Sequence, residues 1–424
     1  MRHFDFKNGH MHCEGVSLSD IADQVGTPVY VYSSATFERH FSVFTEAFKD
    51  QDTLVAYSVK ANSNIAVLAS LAKLGAGADV VSGGELARAL KAGIPGEKIV
   101  FSGVGKKPAE MHAALTAGIH VFNVESQAEL DVLNSVAIEM GKIAPIAFRV
   151  NPDVSAGGHE KISTGKAENK FGIAWSSAEA AYAYAATLPG IKVVGVDVHI
   201  GSQIVDLAPF ETAITKVGGL IKRLRAQGHD IQSFDVGGGL GINYGNNAVT
   251  PPQPSEYGAM VKRLTSDMNV KMIFEPGRMI AGNSGVLLSE VVYVKDGEDR
   301  KFLIIDAAMN DLIRPALYDA YHDIEAVRAP GSNMTEVLYD VVGPICETGD
   351  TFTKRRMLPE MEAGDRLVFH SAGAYGAAQA SQYNTRPLVP EVLVRGGEYH
   401  VIRARPTVED ILAGESIPDW LDAP

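Results

Sequence analysis

The sequence predicts a (β/α)8 barrel of the TIM type, followed by a second, mostly β domain of barrel or sandwich form. Three observations support this fold class: short β-rich segments alternate with helix-like stretches, eight such segments occur, and the alternation stops near Ala281. Regular βα alternation predicts parallel strands, and eight units in roughly 230 residues favour a closed barrel. A doubly wound open sheet is the rival fold, because alternation alone does not distinguish it from a closed one.

The eight predicted strands are rich in β-branched and aromatic residues, and several end on glycine or polar residues. They cover residues 54–57, 78–81, 99–101, 120–123, 146–150, 194–198, 234–236 and 272–274. Between them lie stretches with helical character, such as residues 84–90 and 126–140. The predicted barrel domain covers residues 36–280.

The remaining sequence predicts the second domain. Strand-like runs separated by turns cover residues 285–294, 302–306, 367–370, 391–395 and 399–403. The opening segment, residues 4–16, is also strand-like and precedes the first barrel helix. We therefore expect residues 1–35 to join the β domain formed by residues 281–424.

Composition narrows the class of protein and its partners. The 424 residues are 46% hydrophobic and 21% charged, as is usual for globular chains. The formal net charge of -13 disfavours a nucleic-acid partner, and neither a signal peptide nor a long apolar run is evident. Two distant cysteines make a disulfide framework implausible. We expect a soluble, cytoplasmic protein with a small-molecule partner and no membrane partner.

Polar residues follow several predicted strands, at the end of the barrel where active sites gather. Lys60 follows the first strand, and His199 and Ser202 follow the sixth. Each has an ordinary structural interpretation, as a solvated lysine or a histidine satisfied within the core. An amine at this face is also suited to imine formation with a carbonyl compound.

The last two predicted strands end in segments suited to phosphate. Gly237 to Gly241 form a glycine cluster whose backbone amides can approach an anion closely, although a tight turn alone also requires glycine. Glu275, Pro276, Gly277 and Arg278 follow the eighth strand. Barrels often build a phosphate site from these two loops. An imine-forming lysine, a phosphate site, an aromatic ring and a carboxylate together match the requirements of pyridoxal 5'-phosphate (PLP).

Six motifs in order resemble those of the fold-type III PLP-dependent decarboxylases, over nearly the whole chain. They occupy residues 57–62, 199–203, 237–241, 275–278, 346–350 and 373–376. Within that family, residues 314–322 and the segments 151–153, 162–165 and 170–172 resemble the members that decarboxylate meso-diaminopimelate to L-lysine and CO2, the last step of lysine biosynthesis. Thr348 stands where serine is commoner in the family, which is a small change.

The resemblance implies roles for individual residues. Lys60 holds the cofactor covalently, and Cys346 is the acid that protonates the decarboxylated carbon. The implied cofactor contacts are His199 on the ring, Glu275 at the pyridine nitrogen, and Ser202, Gly238, Gly239, Pro276, Gly277, Arg278 and Tyr375 around the phosphate. The implied substrate contacts are Arg278, Arg314, Tyr318 and Tyr375, with Glu347 at the ammonium group. Guanidinium groups suit a carboxylate, and a carboxylate suits an ammonium.

The resemblance also implies a homodimer in which Cys346 and Glu347 act at the Lys60 of the other subunit. The alternatives are decarboxylases of ornithine, arginine, carboxynorspermidine or a D-amino acid, alanine racemase, and a PLP carrier without activity. Arg314 argues against substrates that lack a second carboxylate. No metal is predicted, because the residues around Cys13 do not supply the four ligands of a closed zinc site.

Overall fold

The computed structural model describes residues 2–155, 170–245, 250–329, 331 and 335–421. The chain divides into two compact units. The β unit comprises Met1–Ala35, Tyr244–Asn246 and Asn283–Pro424, and the barrel unit comprises Thr36–Asn243 and Asn247–Gly282. Tyr244–Asn246 therefore groups with the β unit, although it lies inside the predicted barrel domain in sequence.

The first part of the β unit contains four strands and one helix. These are β1 (Phe4–Lys7), β2 (His10–Cys13), β3 (Val16–Ser17), α1 (Leu18–Val25) and β4 (Val29–Ser33). The first three strands form a small antiparallel sheet. Ser17 begins α1 by accepting the Asp20 backbone N–H, and Leu18 and Ile21 bury the apolar face of this helix.

The barrel unit contains nine strands and nine helices within its described residues. The strands are β5 (Thr53–Ser58), β6 (Gly77–Val80), β7 (Ile99–Phe101), β8 (Val121–Val124), β9 (Ala144–Asn151), β10 (Ile173–Ala174), β11 (Ile191–Asp197), β12 (Ser233–Asp235) and β13 (Lys271–Phe274). The helices are α2 (Ser34–Glu46), α3 (Ile65–Lys73), α4 (Gly83–Lys91), α5 (Pro108–Ala117), α6 (Gln127–Glu139), α7 (Ala178–Ala185), α8 (Ala208–Ala226), α9 (Pro254–Thr265) and α10 (Arg278–Ala281).

Eight parallel strands close into a barrel. The order is β5-β6-β7-β8-β9-β11-β12-β13, and β13 pairs with β5 to complete the ring, while the short β10 pairs with β9 outside it. Each predicted strand overlaps one strand of this ring. The predicted barrel is confirmed, and the open doubly wound alternative is wrong because each of the eight strands pairs with a neighbour on both sides, which leaves no edge.

An apolar layer fills part of the barrel unit's interior. Its members differ in size and come from several strands: Leu54, Ala56, Val100, Val121, Ala147 and Ile273. Mixing alanine with larger branched side chains lets the layer fill without voids. The polar residues of the strand ends follow this layer along the strands, so the core and the candidate site are built by the same eight strands.

The second part of the β unit contains eight strands and two short helices in its described residues. The strands are β14 (Gly285–Asp296), β15 (Lys301–Ile305), β16 (Ile324–Ala326), β17 (Glu336–Val342), β18 (Thr351–Pro359), β19 (Arg366–Phe369), β20 (Glu391–Arg395) and β21 (Glu398–Arg403). The helices are α11 (Arg314–Tyr318) and α12 (Val408–Leu412).

Strands β14 to β21 form a nine-stranded sheet together with β4. The main path is β18-β17-β15-β14-β4-β20-β21, and β19 pairs with both β14 and β16. The predicted mostly β character is therefore confirmed. The sequence patterns did not identify β16, β17 or β18. Strand β18 was missed because its central residues, Lys354 to Arg356, are charged and hide the alternation that marks a strand.

Within the described ranges, no helix combines the length and apolar composition needed to cross a bilayer.

Candidate active site

Lys60 lies in the single helical turn, Val59–Ala61, that follows β5. Its Nζ is 2.7 Å from Oδ2 of Asp79, on the neighbouring strand β6, and the Ser58 hydroxyl donates to the same oxygen at 2.7 Å. The parallel register places Ser58 beside Asp79. The Asp79 side chain is fully buried, whereas that of Lys60 is 40% exposed. Lys60 is therefore oriented by a buried carboxylate and remains accessible.

Asp79 was not singled out from the sequence. It is the only charged residue of β6, in a segment that otherwise reads as a buried strand. A buried carboxylate requires partners, because desolvation strongly disfavours an isolated charge. Its position near the end of a predicted strand was the one feature of the sequence that could have marked it as a site residue.

His199 contacts the glycine turn that follows β12. The backbone N–H of Gly238 donates to Nδ1 of His199 at 3.2 Å. Burial lowers the pKa of His199 well below its usual range, and the positive charges of Arg149 and Lys60 act in the same direction. A neutral imidazole is required if Nδ1 is to accept this bond. The ring is thus held in a defined tautomer, with its proton on Nε2.

The glycine turn permits very close approach between backbones. A Cβ atom on Gly239, whose φ is +111°, would lie 2.5 Å from the carbonyl oxygen of Gly201, and one on Gly238 would collide with the Glu275 carbonyl. Neither position accepts a side chain without displacing backbone. The loops after β11, β12 and β13 are therefore packed directly against each other.

A cation and a hydroxyl lie at the same group of loops. Arg278 Nη2 donates to the Ser202 hydroxyl at 3.1 Å, and Gly277 directly precedes α10. Pro276 contributes its carbonyl oxygen, which accepts the Ser58 N–H at 3.1 Å. Bare glycine backbone, a guanidinium and a hydroxyl are the donor types that bind phosphate. This donor set fits the phosphate of PLP.

Glu275 follows β13 and is buried in a polar network. Its Oε1 accepts from the Ser102 hydroxyl at 3.2 Å and from Asn123 Nδ2 at 3.5 Å. Burial raises the pKa of Glu275 well above its usual range, and the nearby Asp235 and Asp79 add to this rise. A protonated ring nitrogen beside Glu275 would offset this rise, because an opposite charge favours the ionised carboxylate. The side chain therefore fits the pyridine end of PLP.

Arg314, at the start of α11 in the β unit, is held by two aromatic residues. Its Nη1 is 2.7 Å from Nε2 of His322, while His322 Nδ1 lies 2.8 Å from the His370 carbonyl oxygen. The guanidinium carbon lies 4.5 Å from the centre of the Tyr244 ring. With its Nδ1 donating to the carbonyl, His322 accepts from Arg314. Arg314 and His322 are both buried, so the guanidinium has a preset orientation.

Tyr318 and Tyr375 also lie in the β unit. Gln379 Nε2 donates weakly to the Tyr318 hydroxyl at 3.5 Å. Tyr375 has a φ of +56°, a left-handed conformation that is rare for a bulky residue. Such strained positions are frequent at functional sites, and this one lies within the predicted motif 373–376.

Cys346 lies on an exposed loop, and the Asp350 carboxylate accepts hydrogen bonds from the backbone next to it. Asp350 accepts backbone N–H bonds from Ile345 and Met309, each at 2.7 Å. Cys346 is exposed and its N–H donates to Asn384 Oδ1 at 3.4 Å. The negative charge of Glu347 and a hydrogen bond to it raise the pKa of the Tyr383 hydroxyl. Asp350 therefore ties the segment before Cys346 to the segment before Arg314.

The candidate residues fall into two groups. The barrel unit contains Lys60, His199, Ser202, Gly238, Gly239, Glu275, Pro276, Gly277 and Arg278, and the β unit contains Arg314, Tyr318, Cys346, Glu347 and Tyr375. Sequence reasoning missed Asp79, Ser102, Asn123, Asp197, Asp235 and His322 as neighbours of these residues. The motif segment 162–165 lies outside the described residues.

Comparison with known proteins places the chain in a family. Residues 34–282 match the model of the pyridoxal-dependent decarboxylase, pyridoxal binding domain. Diaminopimelate decarboxylase of Zymomonas mobilis is 49% identical over 421 residues, covering 99% of each chain. The enzyme of that name from Pseudomonas aeruginosa is 50% identical and covers 98% of this chain and 99% of the relative. The chain belongs to the diaminopimelate decarboxylase family. The predicted family and its PLP cofactor are thereby confirmed.

Solved structures agree with this assignment. Diaminopimelate decarboxylase of M. jannaschii in co-complex with L-lysine has a TM-score of 0.94 at 37% identity, covering 99% of this chain and 98% of its own. The Helicobacter pylori enzyme complexed with L-lysine has a TM-score of 0.89 at 41% identity, covering 93% and 98%. A lysine/ornithine decarboxylase from Vibrio vulnificus, at 19% identity and a TM-score of 0.78, shares the fold. The diaminopimelate decarboxylase family is therefore represented among both sequence and structural neighbours.

Proposed function

We propose that this protein decarboxylates meso-2,6-diaminopimelate at its D-configured carbon and produces L-lysine and CO2. The observation that carries the proposal is the single set of barrel loops that combines Lys60, the Gly238-Gly239 turn and buried Glu275. When bound, PLP supplies an electron sink for the electron pair that remains after CO2 leaves. The chain's own residues bind the cofactor, orient the substrate and supply the proton.

The barrel loops are proposed to hold the cofactor. Lys60 provides the amine for the covalent link, since its Nζ is accessible and oriented by Asp79. Glu275 accepts the proton-bearing ring nitrogen and His199 lies against the ring. The phosphate contacts are proposed for Ser202, Gly238, Gly239, Pro276, Gly277, Arg278 and Tyr375. The Arg278 guanidinium and the Ser202 hydroxyl support this assignment, because these two phosphate-binding donors lie 3.1 Å apart.

The β unit is proposed to recognise the substrate and complete the reaction. Arg314, with Arg278, Tyr318 and Tyr375, binds the carboxylate that is retained, and Glu347 binds the distal ammonium. His322 and Tyr244 hold the Arg314 guanidinium in place, which supports a role in orienting a planar carboxylate. Cys346 then protonates the carbon from which CO2 has departed. Its exposure is compatible with access to a bound substrate.

The active protein is proposed to be a homodimer with shared sites. Cys346 and Glu347 of one subunit act at the Lys60 of the partner subunit. This proposal is supported by the division of the chain, because Cys346 and Glu347 belong to the β unit and Lys60 belongs to the barrel unit. A two-fold axis repeats any such contact and produces two equivalent sites. The proposed functional division is residues 36–280 for the cofactor domain, with residues 1–35 and 281–424 for the β domain.

A cytoplasmic location is proposed as well. Cys13 and Cys346 are free, and Cys346 is exposed. A catalytic thiol requires a reducing compartment, since an exposed thiol is otherwise open to oxidation.

Substrate discrimination tests the proposed function. Purified holoenzyme is incubated separately with meso-diaminopimelate, L-lysine, L-ornithine and L-arginine, and both CO2 and the amine product are measured. Turnover of meso-diaminopimelate to L-lysine, with kcat/KM far above that of the other three, is expected. Preferential turnover of a substrate with one carboxylate would overturn the proposal and favour a related decarboxylase.

A further inference from the structure

Three buried carboxyl groups meet at the ends of adjacent strands in the barrel unit. Asp197 ends β11, Asp235 ends β12 and Glu275 follows β13. Asp197 and Asp235 are register partners, and one oxygen of each of the three groups lies within 4.8 Å of the others. Their exposures are 2%, 1% and 6%. Like charges so close together in a water-poor interior strongly disfavour simultaneous ionisation.

The neighbouring cations pair with carboxylates outside this cluster. Lys60 is 2.7 Å from Asp79, and an Arg149 Nη1 atom is 3.4 Å from Glu125. Each of these two cations therefore has a nearer carboxylate outside the cluster. The three carboxyl groups of the cluster, Asp79 and Glu125 together outnumber these two cations. The side chains that bond to the cluster, Ser102 and Asn123, are neutral. Retained protons are the direct way to reduce the excess negative charge.

Hydrogen-bond donors are distributed unequally among the three carboxyl groups. Asp235 accepts the Gly237 N–H at 2.8 Å and the Asn123 amide at 3.4 Å. Glu275 accepts from Ser102 and again from Asn123. The buried Oδ1 of Asp197 has no hydrogen-bond partner within the described part of the chain. Donors stabilise an ionised carboxylate, so Asp197 is the least suited of the three to carry charge.

We propose that Asp197 is protonated at neutral pH and acts as a positioning residue for the cofactor site. By staying neutral, it leaves Glu275 as the carboxylate available to the pyridine nitrogen. The positioning role of Asp197 rests on the proposed contact between Glu275 and the cofactor. The protonation of Asp197 does not depend on that contact and can be measured without the cofactor. Burial raises the pKa of Asp197 well above its usual range, and the charge of Glu275 adds to the rise.

The proposal predicts how stability responds to pH. The pKa of Asp197 is raised in the folded state, so the unfolded chain releases this proton at a lower pH than the folded one. The stabilising contribution is full below the ordinary carboxyl pKa and is lost as pH rises towards the folded value. Asp197→Asn remains neutral throughout and should remove this loss.

Infrared spectroscopy of the full chain in D2O tests the protonation directly. The wild-type apoprotein at neutral pH should show the carbonyl stretch of protonated carboxylic acids, separate from the amide bands. Burial raises the pKa of Asp311 to about 7, so this group also contributes, and the component of Asp197 is the one lost in the difference spectrum between wild type and Asp197→Asn. Asp267→Asn is the matched control, because Asp267 is exposed and paired with Lys222 at 2.9 Å. The control should keep the band and the wild-type dependence of melting temperature on pH.

Several outcomes overturn the proposal. They are absence of the band in the wild type, and a difference spectrum between wild type and Asp197→Asn that shows no lost carboxylic-acid component. If Asp197→Asn does not fold, spectra of Asp311→Asn recorded across pH still decide whether another buried carboxyl retains its proton. A stoichiometric divalent metal in the purified protein would show that a cation, rather than a proton, balances the cluster. Since the apoprotein is used, failure of the decarboxylase assay would not affect the result.

Discussion

The two units of this chain position their candidate residues by different means. In the barrel unit, the residues sit at or just beyond strand ends, and strand register brings them together, as with Ser58 beside Asp79. In the β unit, the residues lie on loops and short helices that contact a few buried side chains, such as Asp350 next to the Cys346 loop and His322 next to Arg314. Strand pairing therefore fixes the positions of the candidate residues in the barrel unit. In the β unit, the positions of the candidate residues depend on hydrogen bonds from a few side chains.

This comparison predicts that substitutions in the barrel unit lower activity more than substitutions in the β unit. Lys60→Ala should lower kcat by about 10⁴-fold or more, because it removes a covalent catalytic group. It should also abolish the absorbance of lysine-bound PLP. Turnover and visible spectra of the purified variant are measured together, with Lys91→Ala as a lysine control on helix α4 of the barrel unit. Retention of the lysine-linked spectrum would show that Lys60 does not hold the cofactor.

A mixing experiment tests whether Lys60 and Cys346 of one chain act in different active sites of the dimer. Lys60→Ala and Cys346→Ala proteins should each be inactive, and mixing them under subunit exchange should restore up to about a quarter of wild-type sites. One hybrid site carries both lesions and the other carries neither. Light scattering and exchange of labelled subunits provide the control. If exchange is complete and no activity returns, Cys346 does not act at the partner's Lys60.

Substitution of the proposed substrate-binding residues should lower activity to an intermediate extent. Arg314→Ala should lower kcat/KM for meso-diaminopimelate by about 10²- to 10³-fold, since a charge-assisted pair contributes roughly 1.5–3 kcal/mol per bond. His322→Gln, which disturbs only the support of Arg314, should cost less and act mainly through KM. Steady-state kinetics of both variants are compared with residual activity on L-lysine. An equal loss on both substrates would mean that Arg314 has a structural role.

The smallest effect is expected for the anchor of the Cys346 loop. In Asp350→Asn, one oxygen can still accept a backbone N–H, but the amide nitrogen faces the second donor. Leaving one buried N–H without an acceptor should lower the free energy of unfolding by about 1–3 kcal/mol. Urea denaturation measures this change, and the alkylation rate of Cys346 reports the loop. Unaltered stability together with unaltered alkylation would show that Asp350 does not anchor the loop.

Local sequence patterns predicted the barrel well and the β sheet less completely. Barrel strands such as β5 and β11 are short, rich in branched residues and separated by clear helices, so their pattern is visible without tertiary information. Strands β17 and β18 pair at the edge of their sheet, and Lys354 and Arg355 of β18 are exposed. An exposed strand shows little hydrophobic alternation, which explains why the patterns did not mark it.

The sequence by itself determined the order of the barrel strands and the position of Lys60, His199 and Glu275 after three of them, because strand ends and glycine turns are local features. Only the tertiary structure decided which buried groups surround them. Asn123 reaches Glu275 across 152 residues of sequence, and Asp197 meets Asp235 through strand pairing. The physical reason is that barrel closure and register set the distances between charges, and those distances determine which carboxyl groups can ionise.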